Sequence, residues 1–256
     1  MKEQLYTIPV NDAFDAHDEC PFCFIEREIE QHLLDYVLGS SASYMEPDTR
    51  AATDKAGFCR EHLEKMFHYG NTLGNAWILK THYEQMLREM EQQFSKHTPK
   101  KASFKTKLMG TSKHTISENT VVQWLQDKKD TCYICSRKED LFQRYLHTFF
   151  YLYKEEPEFR SKFEHSNGFC LHHLQDLLIA ADKELNASQL ETFYTTVESL
   201  MISNFTRVHS DISWMISKFD YQNKDADWKN SKDAIQRGMQ KLKSGYPSDP
   251  HFQGKR

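Results

Sequence analysis

All six cysteines of the chain belong to a pattern that occurs twice. A C-x-x-C pair is followed by a C-x-x-H pair, and the second copy lies 111 or 112 positions after the first. The eight residues are Cys20, Cys23, Cys59 and His62, then Cys132, Cys135, Cys170 and His173. Three thiolates and one imidazole form the ligand set of a closed tetrahedral zinc site, and these spacings are typical of its ligand pairs. The sequence therefore predicts about two zinc ions per chain, one within each half.

Other chemistry of cysteine pairs stays open at this point. Thiolate-rich sites also hold iron or iron–sulfur clusters, although one histidine among four ligands favours zinc. Cys20–Cys23 is similar to a glutaredoxin active site, but that chemistry follows a strand of a thioredoxin-like sheet, and the second copy lacks the proline. A thiol-based sensor, in which oxidation releases the metal and loosens the half, is the better redox alternative.

A catalytic role for the metal is the weaker alternative. Catalytic zinc usually has three protein ligands and an open position for water, whereas each half offers four ligands. His17 and His172 flank the clusters and could replace a ligand, which would open such a position. The sequence has no H-E-x-x-H, G-x-S-x-G, Walker-type or G-x-G-x-x-G motif. We therefore predict no catalytic residue and favour a protein that is not an enzyme.

The periodicity of apolar residues predicts helices around both clusters. Residues 20–38 and about 59–69 have the three- and four-residue intervals of amphipathic helices, so each ligand pair lies in a first turn. Residues three apart there share a face and can converge on one ion, and helix N-termini stabilise thiolates. The 35 residues between Cys23 and Cys59 suit one helix out and a shorter one back. We expect the metal to join the first and third helices of each half.

Further signals predict the remaining helices. Pro47 and Gly57 suit the start and the end of a short second helix. A capping box at 188–191 predicts the start of a long helix, and a last helix is expected near 227–242. An extended segment is expected only near residues 6–10. A fourth helix is marked by an apolar stripe that consists of Leu73, Ala76, Leu79, Tyr83, Leu87, Met90 and Phe94.

The turn sequence Glu-Pro-acid-x-Arg also occurs once in each half. Its arginines, Arg50 and Arg160, are candidates for an anion site, although a structural salt bridge at a helix start is the simpler interpretation.

These features predict an all-α protein with two duplicated helical halves, each pinned by a Cys3His metal site, and a C-terminal helical extension. The N-terminal half is expected at residues 1–95 and a lysine-rich flexible linker at 96–120. The C-terminal half with its extension is expected at 121–243, and a tail at 244–256.

Composition narrows the classes of function. The 256 residues have a net charge of −4 and contain no run near the ~18 apolar residues of a membrane span. The N-terminus lacks the apolar core of a secretory signal, so we expect a cytoplasmic location, where metal ligation explains six cysteines better than disulfides do. The negative charge argues against nucleic acid as a partner. An unknown protein partner is expected, and the oligomeric state stays open.

Several segments resemble one bacterial protein family, the domain of unknown function 6062. They are Ile8–Val10 with Phe14, Glu19–Cys23, Met45–Arg50, Gly57–His62 and Lys218–Tyr221. The resemblance covers nearly the whole chain and implies a cytoplasmic helical protein with duplicated Cys/His motifs. It implies no activity. The leading hypothesis is therefore a non-enzymatic interaction or regulatory protein whose zinc ions are structural.

Overall fold

A computed structural model describes residues 4–96, 119–247 and 249 of the chain. These residues form α-helices and two short 3-10 helices and contain no strand, so the predicted all-α fold class is confirmed. None of the helices in the described ranges is long and apolar enough to cross a membrane. The α-helices are α1 (Gln4–Asp15), α2 (Pro21–Leu38), α3 (Pro47–Ala56), α4 (Arg60–Tyr69), α5 (Thr72–Lys96), α6 (Thr120–Asp130), α7 (Tyr133–Glu155), α8 (Pro157–Glu164), α9 (Leu171–Glu184), α10 (Ala187–Ser217) and α11 (Ala234–Lys243).

Local sequence signals set most helix boundaries. Pro47 occupies the first turn of α3, and Gly57 follows its end with a φ of 64°, a conformation that glycine adopts without strain. The cysteines Cys59 and Cys170 are the N-cap residues of α4 and α9. Each C-x-x-H pair therefore stands at a helix start, as the sequence predicts.

Three expectations about helix boundaries are wrong. Residues 6–10 lie in α1 rather than in an extended segment, because Val10, Ala13 and Phe14 form a buried helical stripe. The long helix α10 is capped by a box between Asn186 and Gln189, two positions before the predicted one. The last helix begins at Ala234 rather than near 227.

Contacts divide the described chain into two compact units. The first contains the described residues up to Glu30 and those from Lys138 onward, and the second contains Gln31 to Arg137. The boundary falls inside α2 and inside α7, so the units and the sequence halves divide the chain differently. The linker expected at 96–120 lies outside the described residues except at its ends, as does most of the tail expected at 244–256.

An aromatic core positions the ligands of the first unit. Phe22 lies between Cys20 and Cys23, and its ring centroid is 4.9 Å from that of Phe169, which precedes Cys170. Both rings are fully buried. Further buried rings extend this core, namely Phe14, Phe149, Phe159, Phe163 and Phe193. Because aromatic pairs have preferred geometries, this packing fixes the two ligand-bearing helix starts of the unit.

Among the described residues of the second unit, α5 is covered on one face and exposed on the other. Thr81 donates a hydrogen bond to Asp54 of α3 at 2.6 Å, and Trp124 of α6 donates one to Glu89 at 2.7 Å. The apolar stripe predicted from the sequence lies on the other face and is exposed. The helix is therefore confirmed, but its stripe is not part of the core.

Candidate metal centres

Three cysteines and one histidine converge in the first compact unit. This set, cluster I, consists of Cys20, Cys23, Cys170 and His173, and all four residues are buried. The Nδ1 atom of His173 lies 3.4, 3.5 and 3.2 Å from the sulfurs of Cys20, Cys23 and Cys170. The sulfurs of Cys23 and Cys170 are 3.8 Å apart.

A second set with the same composition lies in the second compact unit. Cluster II consists of Cys59, His62, Cys132 and Cys135. The Nδ1 atom of His62 lies 3.1, 3.3 and 3.4 Å from the sulfurs of Cys59, Cys132 and Cys135. The sulfurs of Cys59 and Cys135 are 3.9 Å apart. Both histidines thus present Nδ1 to three sulfurs.

The spacing of these atoms fits a tetrahedral zinc ion. With Zn–S bonds of about 2.3 Å and Zn–N bonds of about 2.0 Å, the edges of a regular tetrahedron are about 3.8 Å between sulfurs and about 3.5 Å between sulfur and nitrogen. The S···S distances of 3.8 and 3.9 Å match the first value, and the S···N distances of 3.1 to 3.5 Å approach the second. Each cluster could therefore hold one ion with four protein ligands.

The eight predicted residues do gather into two clusters, but the predicted pairing within each half is wrong. Each cluster combines the C-x-x-C pair of one half with the C-x-x-H pair of the other. Helix length gives the reason. The 18 residues of α2 carry the chain about 27 Å from its start, whereas the 10 residues of α3 return it by only about 15 Å. In the second half, the outgoing helix α7 has 23 residues and the returning helix α8 has only 8.

Helix starts contribute donors to the sulfurs of both clusters. The backbone N–H of His173 donates to the sulfur of Cys170 at 3.4 Å, and that of Cys135 donates to Cys132 at 3.5 Å. Burial alone would raise the pKa of Cys132, but the contacts with His62 and with this amide lower it to about 6. The Cys132 sulfur is therefore available as a thiolate at neutral pH.

A carboxylate lies beside the ring nitrogen of the cluster I histidine that does not face the sulfurs. The Nε2 atom of His173 lies 3.2 Å from Glu26 Oε2, and Lys138 forms a 3.0 Å salt bridge with Glu26. Burial would raise the pKa of Glu26, but His173 and Lys138 lower it to about 2. Nε2 makes no hydrogen bond with the described residues, so this is a charge contact. A charged carboxylate at this distance favours the ring proton on Nε2, which leaves Nδ1 free to bind a metal.

Changing this carboxylate should weaken metal binding at cluster I. The variant Glu26→Gln is expected to lower zinc affinity about 10- to 100-fold, because a neutral amide stabilises the ligating imidazole less than a carboxylate does. Competition with a chromophoric chelator measures the change. Glu28→Gln, on the exposed side of the same helix, is the matched control. Equal affinities of the two variants would contradict the role of Glu26.

The two clusters differ in their access to solvent. All four residues of cluster I are buried, whereas in cluster II Cys135 is exposed and Cys59 is half-buried. Reagents in solution therefore reach the sulfurs of cluster II more easily than those of cluster I.

The remaining sequence candidates are not members of the two clusters. His172 is exposed, with Nε2 3.7 Å from Asp176, and it lies beside cluster I in a further group of possible metal ligands with Glu26 and His173. His17 is exposed in a left-handed backbone conformation. Arg160 donates hydrogen bonds to the carbonyls of Tyr153 and Lys154 at the end of α7, so its guanidinium supports a helix terminus. Arg50 lies half-buried in α3.

Sequence reasoning missed Glu26 and Lys138. Glu26 follows Cys23 by three positions, so it shares the helical face of a ligand, and this spacing could have indicated it. Lys138 stands three positions after Cys135 in the second copy, yet it contacts the carboxylate beside cluster I. No local signal in the sequence connects these two positions.

Comparison with known proteins identifies the family of the chain. The model of a family of unknown function (DUF6062) matches residues 1–249. Neither the curated proteins nor the solved structures give a significant match to this chain.

Proposed function

Because the chain belongs to the DUF6062 family, to which no function is attached, we propose a function from its own residues. The chain is a non-enzymatic helical protein in which two structural zinc ions stabilise an interaction or regulatory module.

The complete ligand sets are the observation that carries this proposal. Each cluster supplies three sulfurs and one imidazole at tetrahedral distances, and cluster I is fully buried. Sites with four protein ligands are structural as a rule, whereas catalytic zinc keeps a position for water. Each ion would join two helix starts that are distant in sequence. Its binding free energy would then contribute directly to the stability of that unit.

Exposed apolar residues support the interaction role. Soluble monomers rarely expose long apolar stripes, and such surfaces commonly contact other proteins. On α5, Leu73, Tyr83 and Phe94 are 62, 65 and 59 % exposed. A protein whose metals stabilise the helices and whose surface presents this stripe is suited to binding a partner.

Metal removal tests the structural role. The purified chain is expected to contain about two zinc ions by elemental analysis, and a strong chelator should lower its melting temperature by tens of degrees. Thermal unfolding followed by circular dichroism measures the effect, and readdition of zinc should restore the transition. A metal-free chain that melts at the same temperature would refute the proposal.

The unequal exposure of the clusters favours a second candidate function, a thiol-based redox sensor with zinc release at cluster II. Cys59 and Cys135 have sulfurs 3.9 Å apart, close enough to form a disulfide after a small shift. Hydrogen peroxide would oxidise the two thiolates. The thiolates lose two electrons and form one S–S bond, while the O–O bond is cleaved and, with two protons, gives two waters. Loss of two ligands would release the ion.

Mild oxidation distinguishes this sensor from a purely structural protein. One equivalent of hydrogen peroxide is expected to release one zinc ion per chain, detected with a zinc indicator, and a thiol reductant should reverse the release. The variant Cys170→Ser, which alters cluster I, should retain this response, and Cys132→Ser should lose it. Equal release from both clusters would exclude a sensor built on cluster II.

A further inference from the structure

The exposed face of α5 that carries the apolar stripe also has the periodicity of a coiled-coil seam, in which Lys80 stands in place of Leu79. Alternating intervals of three and four residues mark seven positions over three heptads, and all seven are exposed. Six of them are apolar, and Lys80 is the exception. The positions are Leu73, Ala76, Lys80, Tyr83, Leu87, Met90 and Phe94. A 3.5-residue repeat keeps one seam facing a second helix along its whole length, so this pattern indicates a helical partner.

Within the described ranges of the second unit, all seven positions of this seam are exposed. The opposite face of α5 holds Ile78, which is 1 % exposed, and the polar contacts of Thr81 and Glu89 with α3 and α6. By contrast, Tyr83 and Leu87 in the middle of the seam are 65 and 57 % exposed. The described part of the unit therefore leaves this seam open to a further helix.

We propose that this seam binds the same seam of a second copy of the chain as an antiparallel helix pair. The register centred near residue 85 places Phe94 opposite Ala76 of the second copy, a large side chain against a small one. The same register places Tyr83 opposite Leu87 at the centre. Each copy then contributes the same residues to the interface, as two-fold symmetry requires.

Charge complementarity supports a second copy and the antiparallel direction. Within its own helix Lys80 contacts Glu84 at 2.6 Å. In this register Lys80 also lies beside Glu91 of the second copy, and this contact occurs twice because of the symmetry. In a parallel pair, Lys80 would instead face Lys80, and two like charges in the seam disfavour that arrangement. A single lysine in a seam lowers stability but specifies register, so we expect a reversible dimer.

The dimer rests on the interaction role of the proposed function. A chain that lacks zinc would contradict the proposed function, whereas a zinc-loaded chain that stays monomeric would contradict only the dimer. Sedimentation equilibrium of the zinc-loaded full chain should give twice the 30.3 kDa monomer mass as concentration rises. The variant Leu87→Glu should raise the dimer dissociation constant more than about 100-fold, because each dimer loses two buried leucines. Ile202→Glu, at a 61 % exposed apolar position outside α5, is the matched control and should leave the dimer intact.

A charge exchange tests the identity of the occupant and the register. Glu91→Lys should weaken the dimer, and the double variant Lys80→Glu with Glu91→Lys should restore it, which only pairing between two copies explains. All variants should keep about two zinc ions, which would show that a variant without the dimer is still folded. A wild-type chain that stays monomeric, a dimer insensitive to Leu87→Glu, or a double variant that does not recover would each overturn the proposal.

Discussion

Replacing Cys170 with serine is expected to remove one of the two zinc ions and to destabilise the first compact unit, which also contains Cys20 and Cys23. Structural zinc contributes about 10–16 kcal/mol in small peptides, compared with about 5–15 kcal/mol for the whole stability of a domain. We therefore expect this unit to lose its cooperative unfolding transition. Elemental analysis and thermal unfolding followed by circular dichroism measure the two effects.

Double variants establish which ligands share an ion. The pair Cys20→Ser with Cys170→Ser should retain about one zinc per chain, because both residues belong to cluster I. The pair Cys20→Ser with Cys59→Ser should retain none, because these residues belong to different clusters. Pairing within each sequence half would give the reverse result. Ser136→Ala, an exposed neighbour of Cys135, is the control and should retain both ions.

The residue types of the clusters could be predicted from the sequence, but their partners could not. Spacing identifies Cys20 with Cys23 and Cys170 with His173 because each pair lies within one helical turn. A duplication then offers each C-x-x-C pair two equivalent C-x-x-H pairs, and local spacing does not distinguish them. The unequal lengths of the outgoing and returning helices decide the pairing. These helix lengths are known only from the helix ends in the structure.

The periodicity of α5 shows a related limit of sequence reasoning. Its stripe predicts the helix correctly, because apolar residues at intervals of three and four indicate a helical face whatever covers it. Periodicity does not state whether the cover is the chain's own core or another molecule. The polar side chains of Thr81 and Glu89 contact α3 and α6 on the opposite face, where Ile78 is a buried apolar residue without an apolar stripe around it.

A buried network of charges anchors the start of cluster I. Glu19, which precedes Cys20, is 6 % exposed, and its carboxylate lies 2.7 Å from Arg207 and 3.3 Å from Lys241. Lys241 also donates a 2.6 Å hydrogen bond to the Glu19 carbonyl, and Arg237 approaches the carboxylate at 3.5 Å. Burial lowers the pKa of Lys241, and the charge of Glu19 opposes that shift. The network thus ties α10 and α11 to the residue beside a metal ligand.

Replacing Glu19 with glutamine should destabilise the zinc-loaded chain by about 3–5 kcal/mol, the usual cost of removing one partner of a buried ion pair. The ammonium of Lys241, whose side chain is 2 % exposed, would lose its neighbouring carboxylate, so its buried charged form would be destabilised. Urea unfolding at pH 7 measures the change, and Glu198→Gln at an exposed position of α10 is the control. Adding Lys241→Met should recover part of the loss, because it removes the unpaired charge. Additive losses in the double variant would show that the two residues do not act as a pair.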